Sequence, residues 1–225
     1  MEISFFKKSF PTIIRISLLF VFFVFIGYIL LTPTKKLPIY NPADVNPKLV
    51  DASVKHIRSN HTIADFKLIN QNGDTITQLD YANKIYVADF FFTRCQTICP
   101  IMTLNMADLQ EFYKNDTSVL FLSHSVTPVI DSISVLRAYA DKKGVIDSKW
   151  NLVTGDKKQI YELARKSYFA VLEEGDGGEQ DFIHTEQFIL VDKKRQIRGF
   201  YDGTNKEDVQ RIQEDIEILK KEYDK

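Results

Sequence analysis

Ile85-Tyr86-Val87-Ala88-Asp89-Phe90-Phe91-Phe92-Thr93-Arg94-Cys95-Gln96-Thr97-Ile98-Cys99-Pro100 is the stretch on which the reading of this fold turns. Residues 85–92 are apolar or aromatic apart from Asp89, as in a strand buried on both faces. Residues 93–100 hold Cys95 and Cys99, the chain's two cysteines. Met102, Met106, Leu109 and Phe112 or Tyr113 then recur at helical spacing over 101–113. A buried strand therefore runs into a helix, and thiols four residues apart project from one face of its first turn. Pro100 suits that place, because a first-turn residue need not donate a backbone hydrogen bond. A helix N-terminus favours negative charge and lowers thiol pKa values, and Arg94 adds to this if it turns toward the sulfurs. Such a pair suits a soft metal or a reversible disulfide better than core packing.

The flanking sequence supplies the rest of an α/β order. Asn72-Gly73-Asp74 marks a hairpin between 66–70 and 75–79. Strands are expected at 119–126, 151–155, 187–191 and 197–201, and helices at 130–140, 158–167 and 206–223. Asp156 is positioned to cap the helix that follows it. Alternating βαβα followed by a hairpin and a helix is thioredoxin-like order, with a central mixed sheet flanked by helices. About 165 residues from 61 to 225 suffice for one core. Residues 173–181, EEGDGGEQD, hold five carboxylates and three glycines and read as a mobile acidic loop. The chain is 44% hydrophobic and 26% charged with a net charge of −1, which gives no reason to propose nucleic acid as a partner.

The N-terminus reads differently. Residues 16–31 are ISLLFVFFVFIGYILL, uncharged, and residues 12–32 are long enough to cross a bilayer. A cleaved signal peptide competes, but the apolar run exceeds the ~7–15 residues usual for one and no small-x-small site follows. No cysteine follows the segment, so a lipoprotein anchor is not expected. Lys7, Lys8 and Arg15 against Lys35 and Lys36 favour a cytoplasmic tail at 1–11. The expectation is a single-pass protein of a bacterial inner membrane with its C-terminal domain on the periplasmic side, where disulfides form. Four of the seven prolines, Pro33, Pro38, Pro42 and Pro47, make residues 33–60 read as a linker.

Two sulfurs alone rarely complete a metal site. Two thiolates with one imidazole suit copper, whereas zinc prefers a fourth protein ligand. Four histidines are available. His56 and His61 lie in or just after the linker, and His124 lies inside a strand run. His184 leads into the strand at 187–191, whose preceding loop lies beside the thiol-bearing helix in this topology. Met102 and Met106 are one turn apart, but their spacing fits a core better than a soft-metal site. Phe90-Phe91-Phe92 reads as core. No Walker-type loop, GxSxG, HExxH or second cysteine pair is present.

At this point the chain resembles the Sco/SenC family of membrane-anchored, thioredoxin-fold copper proteins. The matching residues are Asp65-Phe66 with Asn70-Gln71-Asn72-Gly73; Asp89-Phe90-Phe91-Phe92-Thr93; Cys95-x3-Cys99-Pro100; and Ser125-Val126-Thr127-Pro128 with Asp131-Ser132. Leu136-Arg137-Ala138-Tyr139-Ala140, Trp150-Asn151-Leu152-Val153-Thr154-Gly155, His184-Thr185 before Phe188-Ile189-Leu190-Val191-Asp192, and Arg198-Gly199-Phe200-Tyr201-Asp202-Gly203 complete the order. The resemblance implies a copper ion, Cu(I) or Cu(II), held by Cys95, Cys99 and His184. It implies delivery of copper to, or thiol maintenance at, the dinuclear copper site of cytochrome c oxidase. The loop holding Asp131 lies near the metal site in the family. Gln96 stands where many members have proline, and Thr127 where many have aspartate. These departures leave room for another copper protein as client, with a thiol reductant protein as a further partner. A cis-proline faces the thiols in thioredoxin-like oxidoreductases, but no proline lies between Pro128 and the C-terminus. A metallochaperone rather than an enzyme is thus expected. The competing readings are a dedicated thiol-disulfide oxidoreductase using Cys95 and Cys99, and a peroxidase of the same fold.

Overall fold

The computed structural model describes residues 14–27, 35–51, 53–171, 178 and 180–224. The chain divides into two compact units, Met1–Lys35 and Lys36–Lys225. In the first, residues 14–27 form helix α1. Its apolar side chains, among them Leu18, Phe20, Val21 and Phe23, are exposed. Among the described residues no helix is long and apolar enough to cross a membrane. The expected span, 12–32, begins and ends outside the described residues.

The second unit holds strands β1 (Lys67–Asn70), β2 (Thr75–Thr77), β3 (Ile85–Phe91), β4 (Val119–Ser125), β5 (Trp150–Thr154), β6 (Gln187–Val191) and β7 (Ile197–Asp202). They form one sheet in the order β2-β1-β5-β4-β3-β6-β7. β3 pairs parallel with β4, and β4 with β5. The other neighbours run antiparallel. Helices α2 (Cys99–Phe112) and α3 (Ile133–Lys143) make the crossovers that parallel pairing requires. Helices α4 (Lys157–Glu162) and α5 (Lys206–Tyr223) complete the expected thioredoxin-like mixed sheet with helices on both faces.

β3 shows why both faces are covered. Val87 and Phe91 point into a core with Met102 and Met106 of α2 and Ile212 and Ile216 of α5. Tyr86, Ala88 and Phe90 point the other way, into a core with Val153, Ile160, Tyr161 and Tyr168. Met102 and Met106 are fully buried, as their spacing predicted. Gly73, in the β1–β2 turn, has φ +85°, a conformation that favours glycine.

Several boundaries differ from expectation for identifiable reasons. α3 starts at Ile133 rather than residue 130, because residues 127–131 form a turn in which the Ile130 and Asp131 N–H groups donate to the Thr127 carbonyl. The expected helix 158–167 is α4 followed by a π-helical turn, Leu163–Ser167. Asp156 caps α4 by accepting from the Gln159 N–H at 2.8 Å.

Within the stretch read as a linker, 33–60, the residues from Lys36 onward group with the second compact unit. Val50 is fully buried in one core and Leu37 is buried in the other. The Tyr40 N–H donates to the Ile197 carbonyl at 2.9 Å. Arg198 donates to the carbonyls of Pro38 and Leu37 at 3.0 and 2.8 Å. Proline-rich composition concealed these attachments, because they depend on single apolar residues and on carbonyls rather than on a periodic pattern.

Candidate metal and thiol site

The parallel strands β3, β4 and β5 end together, and the cysteines follow β3 at that end. The Cys95 N–H donates to the Phe92 carbonyl at 3.2 Å, which turns the chain back on itself. α2 opens at Cys99, with Pro100 in its first turn. The Cys99 N–H donates to Cys95 Sγ at 3.4 Å, so a helix-end donor that would otherwise lack a partner points at sulfur. Thr97 Oγ1 lies 3.7 Å from the same sulfur. Both cysteines are free thiols, Cys95 half-buried and Cys99 buried. Arg94 is exposed.

The two thiols differ in acidity. Burial pushes Cys95 up, but hydrogen bonds from Cys99 and Thr97 outweigh it and lower its pKa to about 7. Burial pushes Cys99 up to about 12, and its hydrogen bond to Cys95 and the nearby charges of Cys95 and Asp89 add to the rise. Near neutrality Cys95 is the nucleophile and Cys99 holds its proton.

The loop before Cys95 is fixed by a carboxylate that sequence reasoning placed only near the site. Asp131 is fully buried. It accepts from the Thr93 N–H at 3.2 Å, Thr93 Oγ1 at 2.5 Å, Ser125 Oγ at 2.6 Å and Thr127 Oγ1 at 3.0 Å. Four donors compensate its desolvation and join the thiol loop to the end of β4. The hydroxyls at 93, 125 and 127 were the available signal. Asp89, the one carboxylate in the 85–92 run, is also buried, and burial raises its pKa to about 7 against the opposing hydrogen bond to Ser123.

The structure separates the four histidines. His124 is fully buried, stacked on Phe90 with ring centres 4.7 Å apart, and its Nδ1–H donates to the Asp89 carbonyl at 3.2 Å. Its β-strand neighbours place it on the face of the sheet away from α2. His61 is buried, with Nε2–H donating to the Ser167 carbonyl at 2.8 Å. His56 is exposed. His184 is exposed on the segment entering β6. Phe182 of that segment lies edge-on to Phe92, centroids 5.2 Å apart, beside the loop that carries Cys95. Residues 182–186 alternate exposed and buried, so Phe182 and His184 share one side. The two thiols are thus brought together, with the His184 segment at the same end. Among the described residues no three His, Cys, Asp or Glu side chains close into a metal-holding group.

The SCO1/SenC family model matches residues 54–220. The chain belongs to the SCO1/SenC family. The SCO1 protein homolog of Bacillus subtilis is 33% identical over 146 residues, 64% of this chain and 75% of that protein. BsSco, described as a cytochrome c oxidase assembly protein with a disulfide switch, is 31% identical with a TM-score of 0.61, over 71% of this chain and 94% of that one. Bradyrhizobium japonicum ScoI, solved with copper bound, is 19% identical with a TM-score of 0.55 over 69% of this chain and 99% of that one, and shares the SCO1/SenC fold.

Proposed function

We propose that this SCO1/SenC protein is a membrane-anchored metallochaperone that takes one copper ion as cargo through Cys95, Cys99 and His184. We further propose that it delivers the ion to the dinuclear copper site of cytochrome c oxidase. The observation that carries the reading is the sulfur pair brought together at the start of α2, with the Cys99 N–H aimed at Cys95 Sγ. Two soft thiolates and an imidazole suit copper. Copper-bound ScoI and the assembly role of the BsSco family support the same cargo and client. The Cys95 thiolate engages the ion first, and Cys99 releases its proton as it binds. Client ligands then replace the three donors one at a time.

A second reading is favoured by the split between the thiols. A Cys95 thiolate attacks a client disulfide, and one client sulfur leaves. Cys99 then closes on Cys95, giving its proton to a released client thiolate. Two electrons pass to the client, which ends as a dithiol, while Cys95 and Cys99 end as a disulfide. Copper loading and the disulfide are mutually exclusive states of the same pair.

Residues 12–32 are the proposed membrane span and 1–11 the cytoplasmic tail, with residues 36–225 on the periplasmic side. The exposed apolar side chains of α1 support the span. Alkaline carbonate extraction should leave the chain in the membrane, and its release would remove the anchor. For the site, copper titration of full-length protein in detergent should show sharply weaker binding in His184→Ala, with disulfide formation retained. Unchanged affinity and absorption would remove His184 from the ligand set. Reduction of a peptide disulfide without copper would favour the second reading.

A further inference from the structure

Residues 180–186 have no regular secondary structure, yet the segment is fastened at Asp181, and Gly178 before it is held where its carbonyl accepts from Lys157 Nζ at 2.6 Å. The Asp181 side chain pairs with Arg165 through two parallel bonds, Nη1 to Oδ2 at 2.6 Å and Nη2 to Oδ1 at 2.7 Å. The side chains on both sides of this pair are only 6% exposed. The Asp181 carbonyl accepts from Lys157 Nζ at 2.7 Å and from Tyr161 OH at 3.1 Å. Tyr161 OH also donates to the carbonyl of Val126, just past β4, at 3.0 Å. One hydroxyl hydrogen thus serves a carbonyl on the segment and another at the thiol end of the sheet. The π-helical turn Leu163–Ser167 carries Arg165. Its side chain lies against the Tyr161 ring, 5.3 Å from the centroid.

We propose that Arg165 and Asp181 form a latch that positions His184 for copper, which rests on the ligand set proposed above. Asp181 lies three residues before His184. On the other side of His184, the Gly203 N–H donates to the Glu186 carbonyl at 2.7 Å. His184 is therefore held between two fixed points, and only residues 182–185 are left to bring its ring to the sulfurs. Without the latch, residue 181 is held only through its carbonyl, by Lys157 and Tyr161, and more of the segment must be ordered each time the metal binds. The segment also walls a cavity of about 760 Å³, with residues 126–130 opposite. Ile183, next to His184, is buried in the core, so the polar latch and this apolar contact together set the place of the segment. A guanidinium matches a carboxylate through two bonds, which the single ammonium of lysine cannot reproduce.

The test uses full-length protein in detergent with Arg165→Lys, Asp181→Asn and, as control, His184→Ala. Copper affinity, hydrogen exchange across residues 180–186 and the Cys95–Cys99 disulfide potential are measured on each. Arg165→Lys and Asp181→Asn are expected to weaken copper binding about 10–100-fold, as loss of a partner orienting a ligand does. Exchange in 180–186 should rise while the disulfide potential stays at the wild-type value. If His184→Ala weakens copper and both latch variants bind like wild type, the latch is overturned and the ligand set stands. If His184→Ala binds like wild type, the ligand set and the latch both fall. A disulfide potential that shifts in the latch variants would mark a general disturbance of the site and overturn the positioning role.

Discussion

At the end of the sheet away from the cysteines, Arg198 donates to Asp192 at 2.8 Å and Glu222 at 2.7 Å as well as to two carbonyls of the entering chain. Glu222 accepts in turn from the Leu37 N–H at 2.8 Å, and Tyr223 donates to Asp192 at 2.9 Å. At the cysteine end, Asp89 Oδ1, His124 Nε2 and Gln187 Oε1 are buried without a hydrogen-bond partner among the described residues. His184 stands exposed there. Closed polar networks rigidify, whereas unsatisfied buried groups carry a desolvation cost that a fold keeps where its chemistry is. One end of the sheet fixes the chain, and the other leaves donors that can change partners.

The largest effect should come from breaking the closed end. Arg198→Met leaves Asp192 and Glu222 without their cation, and removing one partner of a buried ion pair costs about 3–5 kcal/mol. Guanidinium unfolding should show that loss while the relative alkylation rates of Cys95 and Cys99 stay as in wild type. A cost under about 1 kcal/mol would mean that this end is not what holds the entering chain.

The next prediction probes the cysteine end through pH. Burial raises Asp89 to about 7, against an unfolded value near 3.9. Its stabilising contribution is therefore fully present below about pH 3.9 and lost as pH rises to about 7. Burial lowers His124 to about 4, with the hydrogen bond to the Asp89 carbonyl opposing, against an unfolded value near 6.5. Its contribution is present above about pH 6.5 and lost as pH falls to about 4. Each is worth on the order of 3 kcal/mol, and the two slopes oppose. Asp89→Asn should make copper-free protein lose stability as pH falls from 7 to 4, and His124→Phe should make it gain. Parallel slopes in the two variants would contradict the assignment.

A smaller effect is expected from Thr93→Val, which removes the 2.5 Å hydroxyl bond to Asp131. Hydrogen bonds to charged groups contribute about 1.5–3 kcal/mol, and Asp131 keeps three other donors, so a loss near the lower figure is expected. The looser turn should also change the rate at which Cys95 is alkylated. An unchanged rate would detach Asp131 from the thiol loop.

The same contrast governs what could be read beforehand. β6 and α5 fall on their expected bounds because four apolar residues in five and a steady helical stripe mark them. Cys95, Cys99 and His184 stood out through residue type and order. The latch did not, because Arg165 sits in a π turn that breaks the 3.6-residue period. Asp181 is one of five carboxylates in its loop, with nothing to single it out. Arg198 gave no sign of its role either, since its partners lie as far away as Leu37 and Glu222. Periodicity marks faces of single elements, but pairings that close across loops depend on the finished fold.

Arg137 offers the smallest expected effect and the sharpest control. Like Arg198, it meets two carboxylates, Asp141 and Asp147, each at 2.8 Å, and it also donates to Asn72 at 2.7 Å. Its side chain is 30% exposed, whereas that of Arg198 is 4% exposed. Water and salt screen the first set of bonds and not the second. Arg137→Ala should therefore cost about 0–1 kcal/mol, shrinking further at 1 M salt, while the cost of Arg198→Met should change little. Matching costs for the two variants in a shared urea series would show that partner number, not burial, sets their worth. The contrast between the closed and open ends would then have to rest on the groups around the cysteines alone.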